Sequence, residues 1–319
     1  MFKLSCHITI GNYVFDHVVK VVIRSSYNEL TDTAEIVLPR RYNINGKIND
    51  TVKLSSVFAV GDPVQIKLGY DDNNNTEFIG YISEILPQEP FTIKCEDGMY
   101  LLKRSKPASR SWTETTLAEV LRYLAPDAVI DVPGITLKPF YINKANTAKV
   151  LETLKEQYGL VAYFRDGVLY VGLPFQDRTV MNDTVIYHLQ KNVIQANLVY
   201  RTLDSVKLKV NAIGIMPDNS KIEISVGDQD GELRTLHFYN LSRSELQQQA
   251  NAKLDELKYE GFQGSFTAFG IPLVKHGQVV DITDDEYSEK NGRHFVEEVV
   301  TEFGEGGFRR MVKPGRRAG

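Results

Sequence analysis

The feature that most limits the fold of this chain is a ribbon-like pattern that occurs twice, at 60–85 and at 276–300. Each copy starts with G-x-x-V-x-I, passes through a polar, acidic loop, and returns in a strand that begins with an aromatic residue. The defining residues are Gly61, Val64, Ile66 and Phe78 in the first copy and Gly277, Val280, Ile282 and Phe295 in the second. Alternating apolar and polar residues are typical of half-buried strands. The repeat therefore predicts one β unit used twice, with the two valines and the two phenylalanines at equivalent strand positions; two unrelated hairpins are the alternative.

Strand and helix signals divide the chain into three parts. Residues 1–105 read as strands, and 176–319 do so again around one helix predicted at 242–260. Between them, 106–175 combines helices with a hairpin. The predicted fold class is β-rich α+β, with two similar β-barrel domains, a small α/β helix-and-hairpin insert between them, and a basic, solvated C-terminal tail.

Three helices are predicted from their capping residues. Thr113 is the predicted N-cap of the first helix, and Asn146 is that of the second, which ends at Gly159. Ser242 and Glu245 have the spacing of a capping box at the start of the third helix. The third helix is predicted to bury a stripe of leucine and alanine, namely Leu246, Ala250, Leu254 and Leu257.

Other local signals predict the connections. The dipeptide Asp166-Gly167 lies between two apolar runs and predicts a tight hairpin. The stretch 91–102 reads as a strand, 105–112 as a linker, and the basic, asparagine-rich stretch 40–50 as a long loop.

Composition excludes several classes of protein. The 319 residues include 42% hydrophobic and 24% charged residues, and the net charge of −4 gives no overall reason to bind nucleic acid or an anionic membrane. Cys6 and Cys95 lie in separate strand-like runs, which predicts two buried, reduced thiols. The sequence lacks a signal-peptide pattern and any run of the roughly 20 apolar residues that a membrane span needs, so we expect synthesis in a cytoplasm and no membrane span.

The sequence shows no constellation of nucleophile, base and orienting group of the kind an enzyme needs. Its histidines lack metal-ligand spacing; they are His7, His17, His188, His237, His276 and His294. The acidic stretches 71–77 and 284–289 lack the glycine-containing framework of a calcium loop, and 304–308 follows a strand without opening a helix. We therefore expect no catalytic residue, no cofactor and no metal.

The ribbon from Gly61 to Ile85 resembles the signature ribbon of the baseplate hub proteins of contractile phage tails, also called late control D proteins. It also resembles the hub portion of type VI secretion spike proteins. The stretch 250–282 is similar to the second barrel of that family, in which a helix leads through a glycine-rich turn and a strand into a G-x-x-V-x-I strand. The order of elements resembles the family over most of the chain. Because no needle or oligosaccharide-binding fold follows, a separate polypeptide is expected to be the spike.

The resemblance implies a homotrimer whose six barrels form a pseudo-sixfold ring. Such a ring adapts a sixfold tail tube to a threefold spike and forms part of the ejection channel. The implied partners are the tail tube protein, the spike protein and other baseplate proteins, with transient passage of DNA that is not bound specifically. The resemblance also implies synthesis in the cytoplasm of a bacterial host and residence in a virion, prophage-encoded tail or related contractile injection system.

Two alternatives remain open from the residues alone. The first is a carbohydrate- or peptide-binding β-sandwich protein in which the loops 71–77 and 283–292 form a site. The single tryptophan, Trp112, lies in the predicted linker rather than in those loops, which disfavours a sugar site. The second is a peptidoglycan hydrolase subunit, which lacks a paired-carboxylate site here.

A channel for DNA sets a condition on the charge of its wall. A wall of lysine and arginine would hold the phosphate backbone through many salt-dependent contacts and slow its passage. We therefore expect a neutral and acidic wall, with the basic residues at the rim or outside. Those residues are Arg40, Arg41, Arg309, Arg310, Arg316 and Arg317.

Overall fold

A computed structural model shows the arrangement of these elements. It describes residues 3–39, 43–44, 47–48, 57–87, 89–137, 139–176, 184–216, 218, 220–239 and 241–318. Most of the predicted loop at 40–50 lies outside the described residues.

The N-terminal part consists of strands, as the alternating pattern predicts. They are β1 (Leu4–Ile10), β2 (Tyr13–Phe15), β3 (Lys20–Ser26), β4 (Thr33–Leu38), β5 (Asn43–Ile44), β6 (Lys47–Ile48), β7 (Pro63–Tyr70), β8 (Asn73–Leu86) and β9 (Phe91–Glu96). We call β1, β3, β4, β7, β8 and β9 the first strand set. The ribbon of the first repeat is the β7–β8 hairpin.

The insert follows. Its elements are α1 (Met99–Lys103), β10 (Ala108–Trp112), β11 (Thr115–Thr116), α2 (Leu117–Leu124), β12 (Val129–Asp131), β13 (Thr136–Leu137), β14 (Phe140–Ala145), α3 (Thr147–Tyr158), β15 (Val161–Arg165) and β16 (Val168–Gly172). Asn146 caps α3, and Gly159 ends it in the left-handed conformation, as predicted. Asp166 and Gly167 form the predicted turn between β15 and β16, both with positive φ.

Three predictions in this region are wrong. The N-cap of α2 is Thr116, which forms a capping box with Glu119, rather than Thr113. The strand predicted at 91–102 ends at Glu96, and α1 follows. The predicted linker at 105–112 contains β10, which pairs with β14. Pattern reading missed β10 because its partner strand lies some 30 residues away, and such pairing leaves no local signal.

The C-terminal part returns to strands. Its elements are β17 (Val185–His188), β18 (Val193–Arg201), β19 (Leu208–Ile215), β20 (Lys221–Gly227), β21 (Glu232–Tyr239), α4 (Arg243–Leu257), β22 (Gly261–Phe269), β23 (Val279–Thr283), β24 (Gly292–Gly304) and β25 (Gly307–Arg317). We call β17, β18, β22, β23, β24 and β25 the second strand set. Helix α4 has the predicted Ser242–Glu245 capping box and buries Leu246 and Ala250, but Leu257 is 41% exposed, contrary to prediction.

In the described part of the chain, the two strand sets belong to one sheet rather than to two separate closed barrels. Among the described residues, thirteen strands form one sheet in which β24 pairs with β3 and so joins the second set to the first, and this sheet closes into no barrel. The prediction of a β-rich fold is confirmed, whereas the predicted pair of separate barrels is not what this sheet shows. The expected solvated C-terminal tail is wrong as well, because β25 continues to Arg317 within the sheet.

Each part has an apolar core. One core fills the first strand set, a second fills the insert, a third lies in the second strand set, and a fourth lies between α4 and the sheet of β19, β20 and β21. The first core also contains Phe303 and Phe308, which come from the tip of the β24–β25 hairpin. The second strand set therefore contributes to the interior of the first.

Candidate functional site

The two strand sets have the same strand order. The first runs β3-β4-β9-β8-β7-β1 and the second runs β18-β22-β25-β24-β23-β17. When the strands of each set are counted along the chain, the first to sixth strands of one set occupy the same places in the sheet as the first to sixth strands of the other. Neighbouring strands are antiparallel in both sets, except that β17 is parallel to β23 whereas β1 is antiparallel to β7. The shared order supports the interpretation of one unit used twice.

The two ribbons also begin with the same local geometry. Gly61 and Gly277 have φ values of 98° and 80°, in the left-handed region that glycine adopts without a steric penalty. The amide of Gly61 donates to the carbonyl of Ile82 at 2.8 Å, and that of Gly277 donates to the carbonyl of Val296 at 2.7 Å. The amide of Ile82 donates back to the carbonyl of Asp62 at 2.9 Å, and the amide of Val296 donates back to the carbonyl of Gln278 at 2.8 Å. The pattern residues Val64, Ile66, Val280 and Ile282 are all buried.

A β-bulge lies at the same place on each return strand. In β8 the register shifts between Ile82 and Glu84, and one of the two shifts in β24 lies between Val296 and Glu298. A bulge inserts one extra residue and bends its strand, so it marks a fixed point in the register. The bulges therefore align Glu84 with Glu298.

The two phenylalanines of the pattern are not equivalent. Phe78 is buried opposite Ile66. Phe295 is half-buried opposite Val279 and stacks on Phe175, with the ring centroids 4.4 Å apart. The prediction that paired them is wrong, because counting from the valine ignores the different lengths of the two hairpin loops.

A buried ion pair, which sequence reasoning missed, joins the two strand sets. Arg310 of β25 contacts Glu77 of β8 through two bonds of 2.7 and 3.0 Å, and their side chains are 1% and 3% exposed. The guanidinium also donates to the carbonyl of Gly270 and to the hydroxyl of Thr301. Fork-shaped contact of this kind fixes the relative geometry of the two groups. The pair therefore links the second strand set to the first, in addition to the pairing of β24 with β3.

The predicted placement of the basic residues is wrong for Arg310, which lies in the interior. Arg309 is half-buried, with its guanidinium over the ring of Phe269. Arg316 and Arg317 are exposed, while Arg40 and Arg41 lie outside the described residues. Alternation along β25 explains the difference between neighbours, because successive side chains point to opposite faces of a strand.

A cleft of about 760 Å³ lies where the two strand sets meet the insert. Its wall includes Asp32, Asp97, His276 and Arg310. Asp97 is 4% exposed and accepts a bond from the amide of Met99 with one carboxylate oxygen, while the structure gives its other oxygen no partner. Burial, with the charge of Asp32 as the second cause, raises the pKa of Asp97 well above its usual value.

Asp97 is expected to make the stability of the protein pH-dependent. A carboxyl group whose pKa is raised on folding binds more protons in the native state, so its ionisation destabilises the fold as the pH rises above the ordinary pKa of 3.8. Asp97→Asn keeps the acceptor for Met99 and removes the charge. We expect this variant to unfold at higher urea concentration than the wild type at pH 7, and the difference to vanish near pH 3. The exposed Asp127→Asn variant is the control, and an equal effect at both pH values would contradict the assignment.

Neither a metal-ligand cluster nor a membrane-spanning helix is found among the residues that the structure describes. Within the part of the chain that the structure describes, no three histidine, cysteine, aspartate or glutamate side chains converge in a way that would hold a metal ion. The helices in that part are too short or too polar to cross a membrane. The absence of catalytic and metal sites remains a prediction.

Solved structures share this fold. A tail protein from Neisseria meningitidis superposes with a TM-score of 0.72 and 16% identity, over 98% of this chain and 96% of that one. A 43 kDa prophage tail protein from Shewanella oneidensis gives 0.68 and 14%, over 98% of both chains. A type VI secretion component from E. coli, described as similar to the bacteriophage T4 tail proteins gp27 and gp5, gives 0.62 and 10%, over 98% of this chain and 77% of that one.

The likeness lies in structure rather than in sequence. No protein-family model matches this sequence, and no curated protein sequence matches it. The identities of 10–16% leave the fold as what is shared. This chain therefore has the fold of phage tail proteins and of a type VI secretion component.

Proposed function

We propose that this protein is a structural hub of a phage tail or related contractile injection system, namely the baseplate hub of the late control D type. The observation that carries the proposal is the repetition of six strands in one order, with the second set joined to the first through β24 and β3. The fold shared with tail proteins supports it. We retain the division at 1–105, 106–175 and 176–319 as part of the proposal.

A ring of three copies explains why the unit occurs twice. The β24–β3 junction joins different edges of two similar units, so repeating it around an axis gives a head-to-tail ring. Three chains with two units each present six similar surfaces to a tail tube and three identical repeats to a spike. In this arrangement the protein adapts one symmetry to the other and lines part of the ejection channel.

The proposed partners are a second and third copy of the chain, the tail tube protein, the spike protein and other baseplate proteins. DNA passes through without specific binding, and the finished protein resides in a virion or tail-like particle. The role is structural rather than enzymatic. The single tryptophan does not favour the sugar-binding alternative, because the ring of Trp112 already packs against Phe140 and lies under the guanidinium of Arg110.

Size-exclusion chromatography with light scattering tests the trimer. We expect a particle of three times the 36.1 kDa chain mass, and class averages from electron microscopy that show a ring with an open axis. A stable monomer at micromolar concentration, or an axis filled by packed side chains, would contradict the hub.

A further inference from the structure

In each strand set, one segment has a free edge, whereas the equivalent segment of the other set uses that edge to pair with a further strand. Strand β18 lies at the edge of the sheet and pairs only with β22 among the described strands. Its equivalent, β3, pairs with both β4 and β24. The end of β8, from Glu84 to Leu86, pairs with β9 only, although the equivalent end of β24 pairs with both β25 and β3. These two free edges are the counterparts of the two edges that meet inside the chain.

The pairing of β24 with β3 inside the chain, here called the internal junction, predicts the register in which the two free edges would pair. A row of directly opposed residues crosses each set; the rows are Ile85, Ile93, Ile36 and Val21 in the first and Val299, Val312, Phe266 and Ala196 in the second. The rows make Ile85 equivalent to Val299, in agreement with the bulges, and Val21 equivalent to Ala196. Counting along the strands, Arg24 and Ser26 of β3 correspond to Val199 and Arg201 of β18.

At the internal junction, Glu298 lies opposite Ser26 and Val300 lies opposite Arg24. We propose that β18 of one copy pairs antiparallel with the end of β8 of the next copy, with Arg201 opposite Glu84 and Val199 opposite Leu86. This inference rests on the proposed function and names the contact that closes its ring.

The side chains on the two edges suit each other. Arg201 and Glu84 carry opposite charges, and such pairs directly opposite on an antiparallel sheet are favourable. Val199 is 60% exposed in the single chain, and Leu86 offers it an apolar partner. The two strands also turn the same faces inward. Tyr200, between Val199 and Arg201, packs on the core of the second set. Ile85, between Glu84 and Leu86, packs on the core of the first set.

A disulfide between the two edges tests the register. Directly opposite residues on antiparallel strands have Cα atoms about 4.5–5.5 Å apart, within the range of about 4.4–6.8 Å that a disulfide spans. We expect the full-length Leu86→Cys/Val199→Cys variant to form dimers and trimers on a non-reducing gel after mild oxidation. The native thiols should not interfere, because burial raises the pKa of Cys6 to about 11 and that of Cys95 to about 12.

The matched control shifts one cysteine by two residues on the same face. Leu86→Cys/Arg201→Cys should cross-link at least tenfold less, since diagonal neighbours lie about 7–8 Å apart. As a second measurement, Glu84→Arg should lower the trimer fraction, and adding Arg201→Glu should restore it.

The outcomes separate this inference from the proposed function. A wild-type trimer that forms neither the cross-link nor the charge rescue would overturn the strand pairing and leave the hub standing. A trimer in which the control pair cross-links as well as the test pair would overturn the register. A monomeric wild type would remove both the ring and the contact.

Discussion

Replacing Arg310 by methionine is expected to lower the free energy of unfolding by about 3–5 kcal/mol, the cost typical of breaking a buried ion pair by removing one partner. The variant leaves the carboxylate of Glu77, which is 3% exposed, without its countercharge. It also removes the donors to Gly270 and Thr301. Urea unfolding followed by circular dichroism measures the loss.

Two further variants show that the effect comes from the pair. Arg310→Met/Glu77→Leu should recover most of the stability, because an apolar replacement of both partners leaves no buried charge. Arg234→Ala removes an exposed arginine that pairs with Glu232 at 2.6 Å and should cost at most about 1 kcal/mol. If Arg310→Met cost no more than Arg234→Ala, the proposed role of Arg310 in joining the strand sets would be wrong.

Phe308→Ala is expected to destabilise the protein by about 3–5 kcal/mol and to loosen one strand set from the other. Its fully buried ring lies in the core of the first set although it belongs to β25 of the second. The ring packs against Tyr70 and Phe303, each at 5.6 Å between centroids. Removing it opens a cavity where the two sets meet.

Amide hydrogen exchange distinguishes local loosening from general loss of stability. We expect Phe308→Ala to speed exchange most in β3 and in the paired end of β24, beyond the change in strands distant from the junction. The control is Phe269→Ala, which removes a ring that is 47% exposed in the neighbouring strand β22. Equal acceleration in all strands of the sheet would contradict a specific role at the junction.

Local chemistry predicted the local elements of this fold. The caps at Asn146 and Ser242 and the turn at Asp166 were predictable, because each depends on bonds or conformations within a few residues. The ribbons were predictable for the same reason. The short helix α1 was missed because Met99 to Lys103 is a short, mainly apolar run, and a run this short does not distinguish a helix from a strand.

Long-range pairing was beyond the reach of pattern reading. Nothing in the sequence near β3 or β24 indicates that these strands pair, and this junction is what turns two expected barrels into one sheet. The same limit applies to the candidate site. Arg310 reads as one basic residue in a basic tail, and only its spatial neighbour Glu77, 233 positions earlier in the sequence, explains its burial.

The subdomain of α4, β19, β20 and β21 interrupts only the second strand set. In the first set the equivalent strands β3 and β4 are joined by the short stretch 27–32, whereas β18 and β22 are separated by the whole subdomain. On a ring of three chains this subdomain would recur at every second unit, about 120° apart. Strand β21 presents Leu233 and Tyr239, 57% and 70% exposed, on this element. In the proposed ring, a partner that binds this subdomain would have three equivalent orientations, whereas one that contacts only the strand sets would have six similar ones. The subdomain would therefore fix the rotational setting of such a partner about the ring axis.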